Sequence, residues 1–373
     1  MKILYVTTIG PTMDFFKAFI RKLLDEGHTV DIATNEKLGA VAECYREWGC
    51  KVYPISCSRS PLNKGNLQAI GQLREIIKTG GYELVHCHTP IAAMCTRLAC
   101  RPLRKKGVRV IYTAHGFHFY KGAPLKNWLI FYPIEKLCSY FTDVLITINK
   151  EDYQLAQRKM KAKQVAYVPG VGIDISKFML SDEEKAAKRE LIRQRHSIER
   201  EAKLLLSVGE VNENKNHGVV IEALTKLEQD DIYYIICGDG PLMNQRKELA
   251  LSLGLENRVI FAGYREDVAD YYQAADIFVF PSLREGLPVS VMEAMASGLP
   301  VISSNIRGSK DLVQDGVCGY LFNPQEGSTL VSLVADLLND SKKTAAFSSA
   351  AKTEVLHFNN CSVFGLVKAL YGL

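Results

Sequence analysis

Short apolar runs without polar alternation, each followed by a segment of helical periodicity, constrain this chain more than any other feature of its sequence. Ile3–Thr7 precedes the helical pattern of Asp14–Glu26, and Leu84–His88 precedes that of Ile91–Lys105. Strands that are apolar on both sides are buried on both faces, which is typical of parallel, doubly wound sheets. The alternation starts again at Leu204–Val208. The sequence therefore predicts an α/β fold with two Rossmann-like domains facing a central cleft.

The length of 373 residues also favours two domains, because one hydrophobic core usually stops growing at about 250–300 residues. The alternation breaks at Pro169-Gly170-Val171-Gly172, so we place the domains at residues 1–168 and 169–360. We expect the C-terminal helix, residues 361–373, to join the first domain. The highly charged helical stretch Asp182–Glu201 is interpreted as the passage between domains. Ligands of open parallel sheets bind beyond the carboxyl ends of the strands, which predicts a ligand in the cleft.

Composition favours a cytoplasmic protein. No apolar run approaches the ~18–20 residues that cross a bilayer, and the amino terminus lacks the pattern of a signal peptide. The ten cysteines contain no Cys-x-x-Cys pair and are typical of reduced thiols. His86-Cys87-His88 is the one cluster that suggests a metal, but no second pair completes a site, so we expect none.

The net charge of +5 is unevenly distributed along the chain. Residues 1–165 hold 25 Lys and Arg against 13 Asp and Glu, a net charge of +12, and the remainder carries −7. A basic half indicates an anionic partner, and without a nucleic-acid-binding motif we expect no nucleic acid. Basic and aromatic residues in succession are typical of peripheral contact with an anionic membrane, although a solvated helix end followed by a core helix explains them equally well. They are Arg97, Arg101, Arg104, Lys105, Lys106 and Arg109, then Phe117, Phe119, Tyr120, Trp128, Phe131 and Tyr132.

Three familiar site motifs are missing from the sequence. No Gly-x-Gly-x-x-Gly follows a strand with an acidic residue about twenty positions later, which argues against a nicotinamide dehydrogenase. Neither the phosphate-binding Gly-x-x-x-x-Gly-Lys-Ser/Thr nor the hydrolase elbow Gly-x-Ser-x-Gly is present. The function must therefore rest on other residues.

The segment from Pro281 to Glu293 follows a strand and opens a helix. The free backbone N–H groups at such a helix start, together with the helix dipole, suit a diphosphate. Glu285 lies on the loop and Glu293 about two turns into the helix, where it is placed to accept hydrogen bonds from ribose hydroxyls. A capped helix with ordinary surface glutamates is the alternative interpretation.

Two further polar residues lie where strands are expected to end. Lys215 follows Asn214 on the loop beyond a predicted strand, where a lysine meets a phosphate charge or is simply solvated. His115 follows Thr113-Ala114 and precedes Gly116, so it is either a polar group of the site or a structural histidine.

Several motifs of the second domain, in order, resemble those of family 4 retaining glycosyltransferases of the GT-B fold. The resemblance is weaker but continuous over the first domain, where Thr113-Ala114-His115-Gly116 has the expected place, and it is strongest for the enzymes that make bacterial exopolysaccharide, capsule or lipid-linked glycans. The matching segments are Ser207-Val208-Gly209 with Lys215, Cys237-Gly238-Asp239-Gly240-Pro241, Ala275 to Ser282, Glu285-Gly286-Leu287-Pro288, and Glu293 to Val301.

The resemblance implies a UDP-sugar as donor substrate, bound mainly by the second domain, with no cofactor and no metal. It also implies retention of the anomeric configuration by front-face attack. On matching positions, His115 and Glu285 are the implied catalytic residues, Glu285 holding the sugar hydroxyls and His115 approaching the sugar. Lys215 is expected at the diphosphate and Glu293 at the ribose. The remaining implied donor-site residues are Gly209, Asn214, Gly263, Tyr264 and Arg265 (the last three near the base), and Leu287, Pro288 and Val289 along the phosphate and sugar.

Two positions depart from the family pattern. Glu210 stands where many relatives carry arginine, so one phosphate-binding cation is missing or is replaced by Arg265, Arg284 or Arg307. The glycine pair frequent after the first strand is reduced to Gly10, which we assign to the acceptor side.

The leading hypothesis is transfer of a hexosyl or N-acetylhexosaminyl group from a UDP-sugar to a lipid-linked or polysaccharide acceptor at the inner face of the cytoplasmic membrane. A UDP-sugar epimerase, which also has two Rossmann-like domains, is one alternative. A non-catalytic GT-B partner subunit, favoured by Glu210, is another.

Overall fold

The chain forms two compact units in the computed structural model, which describes residues 1–227, 229 and 231–373. Unit 1 comprises Met1–Val171 together with Asn360–Leu373, and unit 2 comprises Gly172–Asn359.

Unit 1 is built on a sheet in which seven strands of the described chain pair in parallel, in the order β3-β2-β1-β4-β5-β6-β7. These strands are β1 (Lys2–Ile9), β2 (Thr29–Asn35), β3 (Val52–Pro54), β4 (Leu84–His88), β5 (Arg109–Ala114), β6 (Val144–Thr147) and β7 (Gln164–Tyr167). Its helices before the unit boundary are α1 (Lys17–Asp25), α2 (Cys44–Glu47), α3 (Gly65–Gly80), α4 (Pro90–Cys100), α5 (Leu125–Ser139) and α6 (Lys150–Lys159), with 3₁₀ turns at Gly10–Phe16, Glu36–Leu38 and Arg104–Lys106.

Unit 2 is built on a second parallel sheet, in which the described residues form six strands in the order β10-β9-β8-β11-β12-β13. The strands are β8 (Lys203–Val208), β9 (Ile232–Cys237), β10 (Val259–Gly263), β11 (Ile277–Phe280), β12 (Val301–Ser304) and β13 (Gly319–Phe322). The helices are α7 (Asp182–Arg195), α8 (Gly218–Leu224), α9 (Met243–Ser252), α10 (Val268–Ala274), α11 (Val289–Ala296), α12 (Arg307–Lys310), α13 (Gly327–Asn339) and α14 (Ser341–Glu354), with 3₁₀ turns at Ile175–Lys177 and Val355–Phe358. The chain then returns to unit 1 as α15 (Asn360–Tyr371).

Burial on both faces of the sheets confirms the predicted fold class. In β1, Leu4 and Val6 join one buried cluster while Ile3 and Tyr5 join another on the opposite face, to which α15 contributes Val363. The odd-numbered and the even-numbered residues of β1 are therefore both apolar, as a strand that is covered by helices on both sides requires.

The sequence pattern of Glu36–Trp48, which follows the second predicted strand, predicts one helix, and this prediction is wrong. The segment forms a 3₁₀ turn at Glu36–Leu38 and a single α-turn at Cys44–Glu47. Between them Gly39 has φ +140°, and its carbonyl accepts a 3.1 Å hydrogen bond from the Gly10 N–H. A Cβ on Gly10 would lie 2.4 Å from that oxygen. Close packing of two backbones therefore overrides the helical pattern.

The charged stretch predicted to pass between the domains is helix α7, which packs within unit 2. Arg193, almost fully buried, and Arg189 both contact the Asp276 carboxylate, at 3.1 and 2.8 Å. A capping box between Ser181 and Glu184 starts the helix. Buried ion pairing explains why so polar a sequence still packs against a domain.

The sequence pattern predicts no strand at Gly319–Phe322, where the structure forms β13. It pairs with β12 at the edge of the sheet, and at four residues it is too short to produce a clear apolar pattern. In the part of the chain that the structure describes, no helix has the length and apolar character needed to span a bilayer.

Candidate functional site

The loops that follow β8 and β11 meet at the carboxyl edge of the unit 2 sheet. Gly209, directly after β8, has φ +153°, and a Cβ there would lie 3.0 Å from the Lys215 side chain. The glycine therefore allows the lysine stem to fold back over the strand end, where its Nζ lies 5.0 Å from the centre of the Phe280 ring. The predicted donor-site residues Gly209 and Lys215 are thus in contact.

Lys215 and Glu285 form an ion pair across these two loops. The Lys215 Nζ lies 2.7 Å from Glu285 Oε1, and each side chain is 20% exposed. Asn214 adds hydrogen bonds from its side-chain nitrogen to the Arg284 carbonyl (2.9 Å) and to Glu285 Oε1 (3.3 Å). The Arg307 Nε donates to the Glu285 carbonyl at 3.1 Å. The structure therefore brings together four residues that are scattered in the sequence and holds Glu285 in one position.

The amino terminus of α11 lies directly after this loop. Pro288 occupies the N-cap position with an extended backbone, and none of the described side chains caps the helix. The first turn, which begins at Val289, therefore presents backbone N–H groups that have no acceptor within the helix. Leu287 is buried beside them. The loop and the helix start predicted here are therefore present, and the phosphate site itself stays a prediction.

Glu293 lies one turn farther along α11, and its carboxylate is held by a tyrosine. The buried Tyr272 hydroxyl donates to Glu293 Oε2 at 2.8 Å. Burial raises the pKa of Glu293 and this hydrogen bond opposes the rise. The carboxylate is therefore fixed in orientation, as an acceptor for hydroxyl groups needs to be.

The segment assigned to the nucleotide base ends β10 and begins a charged turn. Gly263 is the last residue of the strand and has φ +71°, and Tyr264 is 78% exposed. Arg265 makes two 2.8 Å contacts with the Asp267 carboxylate, and this hydrogen-bonded guanidinium lowers the pKa of Asp267.

The three arginines considered as replacements for the cation missing at Glu210 are placed differently. Arg265 is held by Asp267, Arg284 is exposed, and Arg307 is buried against the Glu285 carbonyl. Glu210 itself is exposed and accepts a 2.9 Å hydrogen bond from Asn212. The Arg307 guanidinium therefore contacts the backbone of the Glu285 loop, whereas Arg284 lies on that loop with its side chain exposed.

In unit 1, His115 follows β5 and contacts a second histidine. His88, the last residue of β4, places its Nδ1 3.0 Å from His115 Nε2. His86, two residues earlier, hydrogen-bonds the Tyr371 hydroxyl at 2.5 Å and Thr113 at 2.8 Å. Burial lowers the pKa of His115 to about 4 and, as the largest cause, that of His86 to about 3, so both rings are neutral at pH 7.

These histidines and Thr113 line a cavity of about 30 Å³ in unit 1, whose other side chains are aromatic or aliphatic. The alternation His-Cys-His on a predicted strand was the signal that could have identified His88, because it places both rings on one face beside the following strand. No group of three or more His, Cys, Asp or Glu in the described residues is arranged to hold a metal ion.

The predicted basic and aromatic surface of unit 1 needs correction. Arg97 is fully buried and pairs with Glu135 at 2.8 Å, and Phe117 and Phe119 lie in the core. Arg104 is held by Asp143 at 2.6 Å. Arg97 is buried because it pairs with the buried Glu135 carboxylate, and the order of residues in the sequence does not show this pairing. Arg101, Lys105 and Lys106 remain exposed.

Comparison with known proteins shows the family to which this chain belongs. Residues 2–149 match the family model for glycosyl transferase 4-like domains, and residues 188–354 match that for glycosyl transferases group 1. The chain is 34% identical to the putative glycosyltransferase EpsD of Bacillus subtilis (strain 168), over 94% of both chains. It is 26% identical to the UDP-Gal:alpha-D-GlcNAc-diphosphoundecaprenol alpha-1,3-galactosyltransferase of Escherichia coli, over 85% of this chain and 82% of that one.

Among solved structures, HepE from Anabaena in complex with UDP superposes with a TM-score of 0.82 over the whole of both chains, at 21% identity. Together with the two family models, two Rossmann-like sheets with this likeness define a glycosyltransferase of the GT-B fold. Within that class, the match to EpsD over almost its full length shows that the chain belongs to family 4.

Proposed function

We propose that this glycosyltransferase moves a hexosyl or N-acetylhexosaminyl group from a UDP-sugar to a lipid-linked or polysaccharide acceptor in cell-surface polysaccharide biosynthesis, with retention of the anomeric configuration. The observation that carries the proposal is the meeting of Lys215, Glu285 and the start of α11 at one sheet edge. The names of the E. coli galactosyltransferase and of the UDP complex of HepE support a nucleotide-sugar donor.

The donor diphosphate is assigned to the start of α11. Backbone N–H groups and the positive end of the helix dipole favour an anion there, and Lys215 supplies a full positive charge. These groups stabilise the negative charge that develops on the departing UDP. Glu293 then accepts from the ribose hydroxyls, with Gly263, Tyr264 and Arg265 near the base. We propose that no cofactor is needed, the UDP-sugar being a substrate.

We assign the sugar to Glu285 and His115. Glu285, fixed by Lys215 and Asn214, accepts hydrogen bonds from sugar hydroxyls. His115 is assigned to the donor sugar as well, and Gly10 to the acceptor side. In the transfer, the acceptor oxygen bonds to the anomeric carbon as the bond to the β-phosphate oxygen breaks. UDP leaves with that electron pair, and its phosphate takes the proton of the acceptor hydroxyl.

We further propose that unit 1 contacts an anionic membrane through α5. The helix turns Leu125, Leu129 and Leu137 to solvent, the first two being 73% and 69% exposed. Lys126 lies beside Leu125 and is also exposed. An apolar helix face next to basic side chains suits the headgroup region of an anionic bilayer, where a lipid-linked acceptor is found.

The proposal is tested by incubating the full chain with UDP-sugars and undecaprenyl-diphosphate-linked acceptors, with and without EDTA. We expect release of UDP, a product that keeps the anomeric configuration of the donor by NMR, and the same rate with the chelator. Epimerised UDP-sugar would instead indicate an epimerase. Absence of any turnover with every donor and acceptor pair would indicate a non-catalytic subunit.

A further inference from the structure

The hydrogen bond between His88 and His115 contains one proton, which one of the two rings donates to the other. Both rings are neutral at pH 7, because burial, the largest cause, lowers the pKa of His88 well below its usual value and that of His115 to about 4. The 3.0 Å separation of His88 Nδ1 and His115 Nε2 is that of a hydrogen bond. One ring must donate and the other must accept, and each choice fixes the tautomer of both rings.

The second nitrogen of His88 decides between the two choices. His88 Nε2 is closed to solvent and has no hydrogen-bond partner in the described part of the chain. If His115 donated, His88 would carry its proton on Nε2, as a buried N–H group without an acceptor. Orphaned buried donors are rarer and more costly than a buried lone pair.

The neighbouring rings do not provide an acceptor for such an N–H group. Tyr5 stacks on His88 at an interplanar angle of 21°, and the rings of Phe16 and His86 are tilted against it by 30° and 40°. All three rings are closer to parallel than to perpendicular, so a hydrogen in the plane of the His88 ring does not point at the face of any of them. The proton of His88 belongs on Nδ1.

We propose that His88 is a positioning residue, which donates its Nδ1–H to His115 Nε2 and so holds His115 in the tautomer that carries its proton on Nδ1. The proposal rests on the assignment of His115 to the sugar under the proposed function. With its only lone pair occupied by His88, His115 meets the sugar as a hydrogen-bond donor and not as a base. The acceptor proton then passes to the departing phosphate.

The backbone after His88 is strained in a way that holds the ring in place. Thr89 has φ 62° and ψ 139°, a conformation that is unusual for a β-branched residue. Its hydroxyl donates to the His88 carbonyl at 2.5 Å and accepts from the Thr8 backbone N–H at 3.1 Å. These bonds tie the end of β4 to the end of β1.

The tautomers can be measured directly by long-range ¹H–¹⁵N NMR of the full chain with ¹⁵N-labelled histidine at pH 7, with His88→Leu and His115→Ala used to assign the signals. We expect a proton on Nδ1 in both rings. A proton on Nε2 of either ring overturns the proposal, whether or not the protein transfers a sugar, so this result is independent of the proposed function.

Steady-state kinetics test whether the Nδ1–H of His88 affects the transfer reaction. His88→Asn keeps a side-chain N–H close to the position of Nδ1, and His88→Leu removes it. We expect kcat to fall about tenfold or more in His88→Leu and by less than about threefold in His88→Asn, with the affinity for UDP unchanged in both. Tyr5→Phe, which removes a 2.6 Å hydrogen bond to Tyr371 in the same core, is the control and should keep wild-type kcat.

A double-mutant cycle distinguishes a positioning role of His88, exerted through His115, from a purely structural role. If His88 acts through His115, His88→Leu adds no further loss in a His115→Ala background. Equal losses in His88→Leu and His88→Asn, or additive losses in the cycle, would show a structural role and overturn the positioning proposal. Full activity of His115→Ala would instead contradict the proposed function of that histidine.

Discussion

At the scale of single residues, the central feature of unit 2 is that its predicted phosphate cation and its predicted sugar acceptor are paired with each other. Lys215 and Glu285 lie 70 positions apart in the sequence. The Lys215 Nζ is 2.7 Å from Glu285 Oε1, and each of the two side chains is 20% exposed. Partial burial makes the pair stronger than an ion pair in water and orients both groups. Under the proposed function, the same pair therefore orients a cation for the diphosphate and a carboxylate for the sugar.

Substitution of the two partners should separate binding from transfer. Lys215→Ala is expected to weaken UDP binding by about 1.5–3 kcal/mol, the usual loss for a hydrogen bond to a charged group, as measured by isothermal titration calorimetry. Glu285→Ala should abolish transfer, with circular dichroism showing an intact fold. The exposed Lys342 and Glu222 of the same unit, each changed to alanine, are the controls. Normal turnover by Glu285→Ala would remove this glutamate from the catalytic assignment.

Asp143 provides a pH-dependent contribution to stability. Burial alone raises its pKa, but hydrogen bonds from Arg104, Lys163 and the Val110 N–H lower it from 3.8 to about 2. A lowered pKa in the folded state stabilises the protein above the pKa of the unfolded chain. This contribution of about 2 kcal/mol is lost as pH falls from about 4 towards 2.

We therefore expect Asp143→Asn to lower the free energy of unfolding by about 2 kcal/mol at pH 7 and by progressively less as the pH falls below 4, in urea titrations at a series of pH values. Asp25→Asn removes an exposed ion pair with Arg21 in the same unit and should leave the pH profile of the wild type unchanged. A difference between Asp143→Asn and wild type that is the same at every pH would contradict the assignment.

At the scale of elements, α5 buries a charged side chain and exposes apolar ones, the reverse of the usual distribution on a helix at a protein surface. It buries Glu135, which bonds Arg97 at 2.8 Å and Tyr112 at 3.2 Å, and exposes leucines on its outer side. Trp128 and Tyr132 pack partly on the core. Because exposed apolar side chains on a helix gain nothing from the fold itself, this face is the part of unit 1 that an interface best explains.

Liposome sedimentation tests that interface. The double variant Leu125→Glu/Leu129→Glu should lose most binding to vesicles that contain anionic lipid, because it places two charges on the apolar face. Its thermal midpoint should stay within about 2 °C of wild type, since both leucines are exposed. Leu67→Glu, on the equally exposed surface of α3, is the matched control. Binding that is independent of these leucines and of anionic lipid would eliminate the membrane proposal.

At the scale of the whole molecule, the two units share an architecture and differ in charge. The first 165 residues carry +12 and the rest −7, although we assign the anionic donor to unit 2. Binding of UDP there must therefore rely on locally placed groups, Lys215 and the amides of α11, and not on the overall charge of the unit. We propose that the basic character of unit 1 serves the acceptor and the membrane.

Hydrogen–deuterium exchange of the full chain with saturating UDP should test the assignment of the donor to unit 2. We expect slower exchange in residues 209–217 and 281–290, which form the edge where β8 and β11 end, because bound ligand suppresses local opening. UMP, which lacks the second phosphate, should protect residues 281–290 less. Protection restricted to unit 1 would show that the donor site has been placed on the wrong unit.

The sequence by itself was sufficient for the fold class and for most strands of both sheets, because burial on both faces leaves uninterrupted apolar runs that local periodicity detects. It also predicted the strand, the glycine-bearing loop and the helix start at which we propose the donor site, since these elements are consecutive in the chain. It failed over Glu36–Trp48 and for β13, where packing of distant backbone and an edge position decide the structure.

Tertiary structure alone decided which polar groups meet. The pairing of Lys215 with Glu285, the burial of Arg97 against Glu135 and the contact of His88 with His115 each join residues from different elements. Side-chain partnerships across a sheet edge depend on strand order and register, which the local pattern of any one segment does not encode. Local sequence determines each element, and only their assembly gives the polar side chains their partners.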